Sequence, residues 1–234
     1  MLLLGLSGAK RSGKNLAADA IIESLSAAGF QGCSRAFADL MKLSMARLFW
    51  PDIEMDDAIE SFEALKSDRK YAFSVGRYAG LQGGVGAPMF YMEQGAEVID
   101  ARTFMQRFGT EAHREVFGYD FWVDQLLPYG GSEHAPEWHR SFPEGTDVAI
   151  ITDVRFTNEA QRIRNLGGLN YNIVRSGYGS DGHVSEEGLP EDLIDRVITN
   201  DFDIDTYNQT VIETFWDDHA VALEQNRNTE HVQR

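Results

Sequence analysis

The chain has 234 residues, 43% of them hydrophobic, enough for one substantial core or a core carrying an inserted subdomain. Its 37 acidic against 21 basic residues give a formal charge of -16 with no run of Lys or Arg to offset it. That balance disfavours bulk nucleic acid and anionic membranes as partners, while a small phosphorylated ligand can still sit in a local basic cleft. Cys33 is the single cysteine, which excludes an internal disulfide and a cysteine-rich zinc site and fits a reducing, cytoplasmic location.

The chain opens on Leu2-Leu3-Leu4, an apolar run too short to span a membrane and read as a strand. It leads into Gly5-Leu-Ser-Gly-Ala-Lys-Arg-Ser-Gly-Lys14-Asn. From Gly8 the spacing is Gly, four residues, Gly13, Lys14, which is the phosphate-binding loop pattern with Asn15 in the Ser/Thr slot. Glycines let backbone N–H groups converge on phosphate oxygens, the following helix adds its positive end, and Lys14 adds a mobile charge. Leu16, Ala17, Ala18, Ile21, Ile22 and Leu25 have helical spacing, so a helix is predicted from near Gly13 to Gly29. The competing reading is a glycine-rich turn between a buried strand and a helix.

Gly32 to Ala38 is predicted as a second strand ending at Asp39, the kind of carboxyl end where ligands gather in open α/β sheets. From Leu40 to about Arg140 the patterns are helical, as in Leu40, Leu43, Leu48 and Phe49, or Val98, Phe104 and Phe108, and this stretch reads as an insertion. Within it, Gly76 to Pro88 holds five glycines and little periodicity, as a mobile connector or a lid would. Strand patterns return at Asp147–Asp153, Leu169–Arg175 and Arg196–Asn200, with helices around Glu159–Ile163 and Asp205–Leu223 and a polar tail from Glu224 expected to fray. Alternating strands and helices imply a parallel sheet covered on both faces. The predicted organisation is an α/β core of residues 1–40 and 144–225, a helical substrate-binding region at 41–143, and a tail at 226–234.

Several separated motifs then converge: residues 5–15, Phe-Ala-Asp-Leu-Met-Lys at 37–42, Gln106-Arg-Phe-Gly-Thr-Glu111 with Arg114, Asp153-Val-Arg-Phe-Thr-Asn-Glu-Ala160, and Asp181-Gly-His-Val-Ser-Glu186 after Arg175. In this order they resemble the bacteriophage deoxynucleoside monophosphate kinases, from the N-terminus to about Asn200. The resemblance implies a P-loop NTPase-type parallel sheet flanked by helices, an inserted helical substrate-binding region, and often a homodimer. It also implies transfer of the γ-phosphoryl of ATP, with Mg2+, to a deoxynucleoside monophosphate, in the host cytoplasm if the chain is phage-encoded. Relatives of this kind usually carry Asp-Thr after the loop lysine, whereas here the pair is Asn15-Leu16. Asn15 can accept a magnesium-bound water without supplying charge, which shifts weight to phosphates, water and the acids at Asp39 and Asp153.

On the donor side, Gly8, Ser12, Gly13, Lys14 and Asn15 are expected to cradle phosphates, with Arg175 on ATP or in a lid. Arg11 is expected to stabilise the transferring group and Lys10 to reach the acceptor, each against the alternative of a solvated loop charge. Asp39 is weighed as an acceptor-facing or metal-facing acid against a helix cap, and Lys42 as an acceptor contact against a surface lysine. Arg107 and Arg114, seven residues apart, would share one cleft if one helix persists; Arg114 is the preferred phosphate clamp and Gln106 a base or sugar contact. Trp122 could stack on a base or lie in the core. Asp153 and Arg155 read as a Walker B acid and its neighbour, while Glu159 reads equally as a cap. His183 with Asp181, Ser185 and Glu186, like His134 and His139, reads as polar loop rather than metal site. Two other functions remain open: another small-molecule P-loop kinase such as dephospho-CoA kinase, or an ATP-binding switch protein without turnover.

Overall fold

The computed structural model describes residues 1–67, 72–75, 80–82, 97–128, 139, 141–177 and 188–232. Two compact units are present, one made by Met1–Ala36 with Leu126–Arg234 and the other by Phe37–Gln125.

The first unit contains β1 (Leu2–Ser7), α1 (Lys14–Ala27), β2 (Gly32–Arg35), β6 (Val148–Val154), α7 (Thr157–Asn165), β7 (Leu169–Val174), β8 (Arg196–Thr199) and α8 (Ile204–Val232). Its five strands pair in parallel in the order β2-β6-β1-β7-β8. A parallel sheet is covered on both faces, which is why β1 and β6 read as continuous apolar runs. Leu4 and Leu6 pack with Ile21 and Leu25 of α1 and Val211 and Phe215 of α8. Gly5 points the other way, and a Cβ there would lie 2.7 Å from Ile163 of α7. The chain passes from β6 across β1 to β7, so the strand order reverses beside β1, the position at which open α/β sheets bind ligands outside their carboxyl ends.

The second unit contains α2 (Phe37–Arg47), α3 (Met55–Ser67), β3 (Ala72–Val75), β4 (Gly80–Gln82), β5 (Glu97–Asp100), α4 (Ala101–Gln106), a π-helical stretch (Arg107–Arg114), α5 (Glu115–Phe117) and α6 (Phe121–Leu126). Its core packs Met45, Phe62, Phe104 and Met105 with Phe49 and Phe108.

The structure corrects three expectations. β2 stops at Arg35, and Asp39 lies in the first turn of α2 rather than at a strand end. The insertion is not purely helical, because β4-β3-β5 form an antiparallel sheet in which Gly80–Gln82, part of the expected loop, pairs with β3. The rest of Gly76–Pro88, the 181–186 motif with His183, and His134 lie outside the described residues. α8 continues past Glu224 to Val232, and no Gly or Pro occurs from 204 to 232 to break it. No helix among the described residues is long and apolar enough to cross a membrane.

His219 of α8 is buried against the rings of Phe215, 4.8 Å away, and Tyr171, 6.3 Å away. Burial pushes its imidazole down, and the neighbouring Asp218 only partly opposes this. The unfolded chain therefore takes up a proton near pH ~6.5 that the folded chain resists, so stability present above that pH is lost as pH falls through it. The urea midpoint is expected to fall more steeply from neutral to mildly acidic pH in the wild type than in His219→Phe; equal slopes would exclude this.

Candidate active site

The loop between β1 and α1 needs backbone conformations that most residues avoid. Gly8 has φ 132 and Gly13 φ 110, and each is also hemmed in: a Cβ would meet the Ile173 carbonyl oxygen at 2.2 Å from Gly8 and the Asn200 amide nitrogen at 2.4 Å from Gly13. Arg11 is the one non-glycine among the described residues with positive φ, 64, a conformation that costs on the order of 1 kcal/mol and clusters at ligand clamps. The Ser12 amide donates to the Ala9 carbonyl at 3.1 Å and closes the turn. The Lys14 ammonium donates to the carbonyls of Gly8 and Ala9, both at 2.7 Å, so its charge lies over the loop. No acid stands in the first turn of α1 to offset the positive end of the helix.

Two residues that the sequence reading did not single out hold this loop from behind. Asn200, just past β8, donates from Nδ2 to the Ser12 carbonyl at 2.7 Å, and Tyr207 of α8 donates its hydroxyl to the Gly13 carbonyl at 3.0 Å. Both are buried, and burial pushes the Tyr207 phenol up to about 12, so it remains a donor at any working pH. The available signal was the position of Asn200, at the carboxyl end of a strand in a ligand-binding α/β sheet. Ser12 itself is fully buried, and its hydroxyl has no hydrogen-bond partner among the described residues. A buried hydroxyl left unpaired costs about 1–3 kcal/mol, and one set in a glycine-bent loop beneath an ammonium suits an anionic oxygen.

The carboxyl ends of β1, β6 and β7 open a cleft beside the loop, lined by Gly8, Ala9, Arg155, Asn172, Arg175 and Leu189 among others. Among the described residues no carboxylate lines it, although the chain carries a charge of -16. Arg155 falls one residue beyond the end of β6 rather than on the strand as expected, and it is exposed in the cleft with Arg175. Asp153 is the next-to-last residue of β6 and partly buried. Glu159 is a cap: its carboxylate accepts from the amides of Arg155 at 2.8 Å and Phe156 at 3.1 Å, fixing the turn into α7. Lys10, Arg11 and Asn15 are exposed on the loop and first turn. The described residues contain no group of three or more acidic, His or Cys side chains able to hold a metal ion, and His139 belongs to no such group.

In the second unit Asp39 and Lys42 are both buried and bonded to each other at 3.0 Å, and Lys42 also reaches Glu63 at 3.0 Å. Burial pulls the Lys42 ammonium down, but the charges and hydrogen bonds of Asp39 and Glu63 outweigh it and the net shift is upward. Lys42 is thus not the surface lysine of the alternative reading, and it is a fixed positive charge rather than a proton carrier. Arg107 and Arg114 bound the π-helical stretch. Seven residues make nearly two turns of α-helix but fall short of two in the wider i→i+5 winding, so the shared face expected of the two arginines does not hold. The Arg114 guanidinium sits 5.5 Å over the Tyr119 ring, and Gln106 is exposed at the end of α4. Trp122 is core: it is 4% exposed and its indole donates to the Gly109 carbonyl at 3.0 Å.

A family model described as deoxynucleotide monophosphate kinase matches residues 88–211. The chain belongs to that family. The matched span covers Gln106–Arg114, Asp153–Arg155 and Asn200, while the phosphate loop lies before it. Over 242 residues the chain is 26% identical to the deoxynucleotide monophosphate kinase of Escherichia phage RB69, covering 86% of this chain and 94% of the relative. It is 29% identical over 223 residues to the putative deoxynucleotide monophosphate kinase of Acanthamoeba polyphaga mimivirus, with 92% and 93% covered. The deoxynucleotide monophosphate kinase of Enterobacteria phage T4 is 26% identical over 236 residues, with 86% and 93% covered.

Gly13→Ala is expected to weaken nucleotide binding at least about tenfold, because the methyl group must displace the Asn200 amide from a backbone already at positive φ. Gly29→Ala is the control, since φ there is also positive, 80, but the new Cβ meets nothing within 4 Å. Calorimetric titration with ATP should separate the two, and equal affinities would refute the assignment of the loop.

Proposed function

We propose that the chain transfers the γ-phosphoryl of ATP to a deoxynucleoside 5′-monophosphate, giving the diphosphate and ADP. The observation that carries this reading is the buried Ser12 hydroxyl, without a partner among the described residues, inside a glycine-forced loop capped by Lys14. Family membership supplies the acceptor class. The rival readings, another small-molecule P-loop kinase or a switch protein, have no comparable support.

In this reading Gly8, Ser12, Gly13, Lys14 and Asn15 hold the β- and γ-phosphates, and Arg175 lies along the nucleotide from the cleft they share. An oxygen of the acceptor phosphate attacks the γ-phosphorus, the bond to the β,γ-bridging oxygen breaks, and ADP leaves with that electron pair. The acceptor monoester, with a second pKa of about 6, is already largely dianionic at neutral pH, so little deprotonation is required. The chain's work is positioning and charge neutralisation by Lys14, Arg11 and Arg155, with Arg114, Arg107, Gln106 and Lys10 on the acceptor. Asp39, engaged by Lys42, serves to set that lysine rather than as a base.

Magnesium fits the donor set in the mode it commonly adopts, with one or two protein oxygens completed by phosphates and water. Asn15 and Asp153 would hold it, the carboxylate supplying the charge that Asn15 lacks. Bound there, the ion would neutralise charge developing on the β- and γ-oxygens. The phage origin of two relatives makes the host cytoplasm the expected place of action.

Coupled measurement of ADP release with the four natural deoxynucleoside monophosphates tests the proposal: acceptor-dependent release from at least one is expected, and none from any would overturn it. Lys14→Ala should lower turnover by at least about a thousandfold, on the scale of losing a preorganised transition-state contact. Arg114→Ala should raise the acceptor KM by about tenfold or more, with a smaller effect on the ATP KM. An unchanged acceptor KM would remove Arg114 from the site.

A further inference from the structure

The second unit contains a pocket that the phosphate-handling residues do not use. It lies between α2, which contributes Leu40, Ser44 and Arg47 from one helical face, and α6, which contributes Trp122 and Gln125, with His113 of the π-helical stretch beside them. Among the described residues no carboxylate lines it.

His113 is held in one orientation and one tautomer. Its Nδ1 lies 2.6 Å from the Phe108 carbonyl oxygen, which can only accept, so Nδ1 carries the proton and the neutral ring offers Nε2 as an acceptor. Aromatic rings fix its plane: Phe108 at 4.2 Å, Trp122 at 5.0 Å and Phe121 at 5.1 Å between centroids. Nε2 makes no bond among the described residues. The rings of Phe121, Trp122 and His113, tilted 37–85° to one another, wall the pocket, and the oriented acceptor with an amide at Gln125 and a donor-only guanidinium at Arg47 gives it polar edges that suit a heterocycle. Such a ring must carry an N–H on one edge and an acceptor atom on the next. An apolar chain offers no N–H for Nε2, and a phosphate offers no donor.

We infer that this pocket receives the base of the acceptor deoxynucleotide and that His113 is a specificity-determining residue, its Nε2 accepting a hydrogen bond from a base N–H while Gln125 and Arg47 meet the neighbouring edge. The inference rests on the proposed acceptor class but assigns the base to residues that no comparison identifies. Arg114, the next residue, then grips the phosphate of the same nucleotide.

The test is steady-state kinetics and calorimetry on full-length wild type, His113→Phe and His113→Gln, with Gln125→Ala as an exposed-site variant that does not threaten folding. His113→Phe keeps the ring packing and loses the acceptor. Its acceptor KM should rise about three- to tenfold while its ATP KM stays put, with a lower thermal midpoint expected from loss of the Nδ1 bond to Phe108, and His113→Gln should recover part of the KM effect. Gln125→Ala should raise the acceptor KM in the same direction. An unchanged acceptor KM in both His113→Phe and Gln125→Ala, or equal shifts in both substrates' KM, would overturn the inference. If the wild type transferred to no deoxynucleotide, the kinase reading would fail separately. Calorimetric titration with the deoxynucleoside monophosphates would still decide the pocket: binding weakened by His113→Phe upholds it, and binding absent or insensitive sinks it.

Discussion

A loop that leaves regular secondary structure must still find a donor for each buried carbonyl. That constraint organises the first unit. The carbonyls of Gly8 and Ala9 take theirs from Lys14, that of Ser12 from Asn200, and that of Gly13 from Tyr207. The donors come from the loop itself, from the end of β8 and from the start of α8, so the cradle near residue 10 is completed only when the last strand and helix are docked. Leu4, Leu6, Ile21, Tyr207 and Phe215 belong to one buried cluster, which makes the loop's geometry inseparable from the packing of that core.

A second constraint is charge. A chain with a net charge of -16 must keep acids away from any place that binds phosphate, and it does so locally rather than overall. The cleft at the carboxyl ends of β1, β6 and β7 is lined by Arg155 and Arg175 and, among the described residues, by no carboxylate. Two of the acids considered for the site are committed elsewhere: Glu159 caps α7 through two backbone amides, and Asp39 pairs with Lys42. The Asp39-Lys42-Glu63 group is a buried network in which the lysine stays charged, and such groups cost desolvation that only complete pairing offsets.

The parts of the fold that follow from local rules were legible in the sequence. The phosphate loop, its flanking strand and helix, and the parallel strands around Asp147–Asp153 and Leu169–Arg175 each announce themselves by glycine spacing or by uninterrupted apolar runs. Asp39 was misplaced because Ala36-Phe-Ala reads as strand or helix alike, and only packing assigns Phe37 to α2. The small sheet of the second unit escaped because Ala72–Val75 and Gly80–Gln82 are too short to show a period. Asn200 and Tyr207 were invisible for another reason: their partners are carbonyls 188 and 194 residues away, and nothing in a local pattern encodes a backbone acceptor.

The π-helical stretch shows how one departure from regular winding redistributes function. In i→i+5 winding a carbonyl faces the residue five positions on rather than four. Here the Phe108 carbonyl takes the His113 imidazole, five residues on, and the Gly109 carbonyl takes the Trp122 indole. Gly109 is also where the stretch presses on α2, since a Cβ there would lie 2.4 Å from the Met41 sulfur, so the widened turn is wedged rather than free to rewind. In an ordinary α-helix Arg107 and Arg114 would face one way and His113 would have no carbonyl five residues back to fix its tautomer. The widened turn separates the arginines and locks the imidazole, and a pocket wall with a defined acceptor is the chemical result.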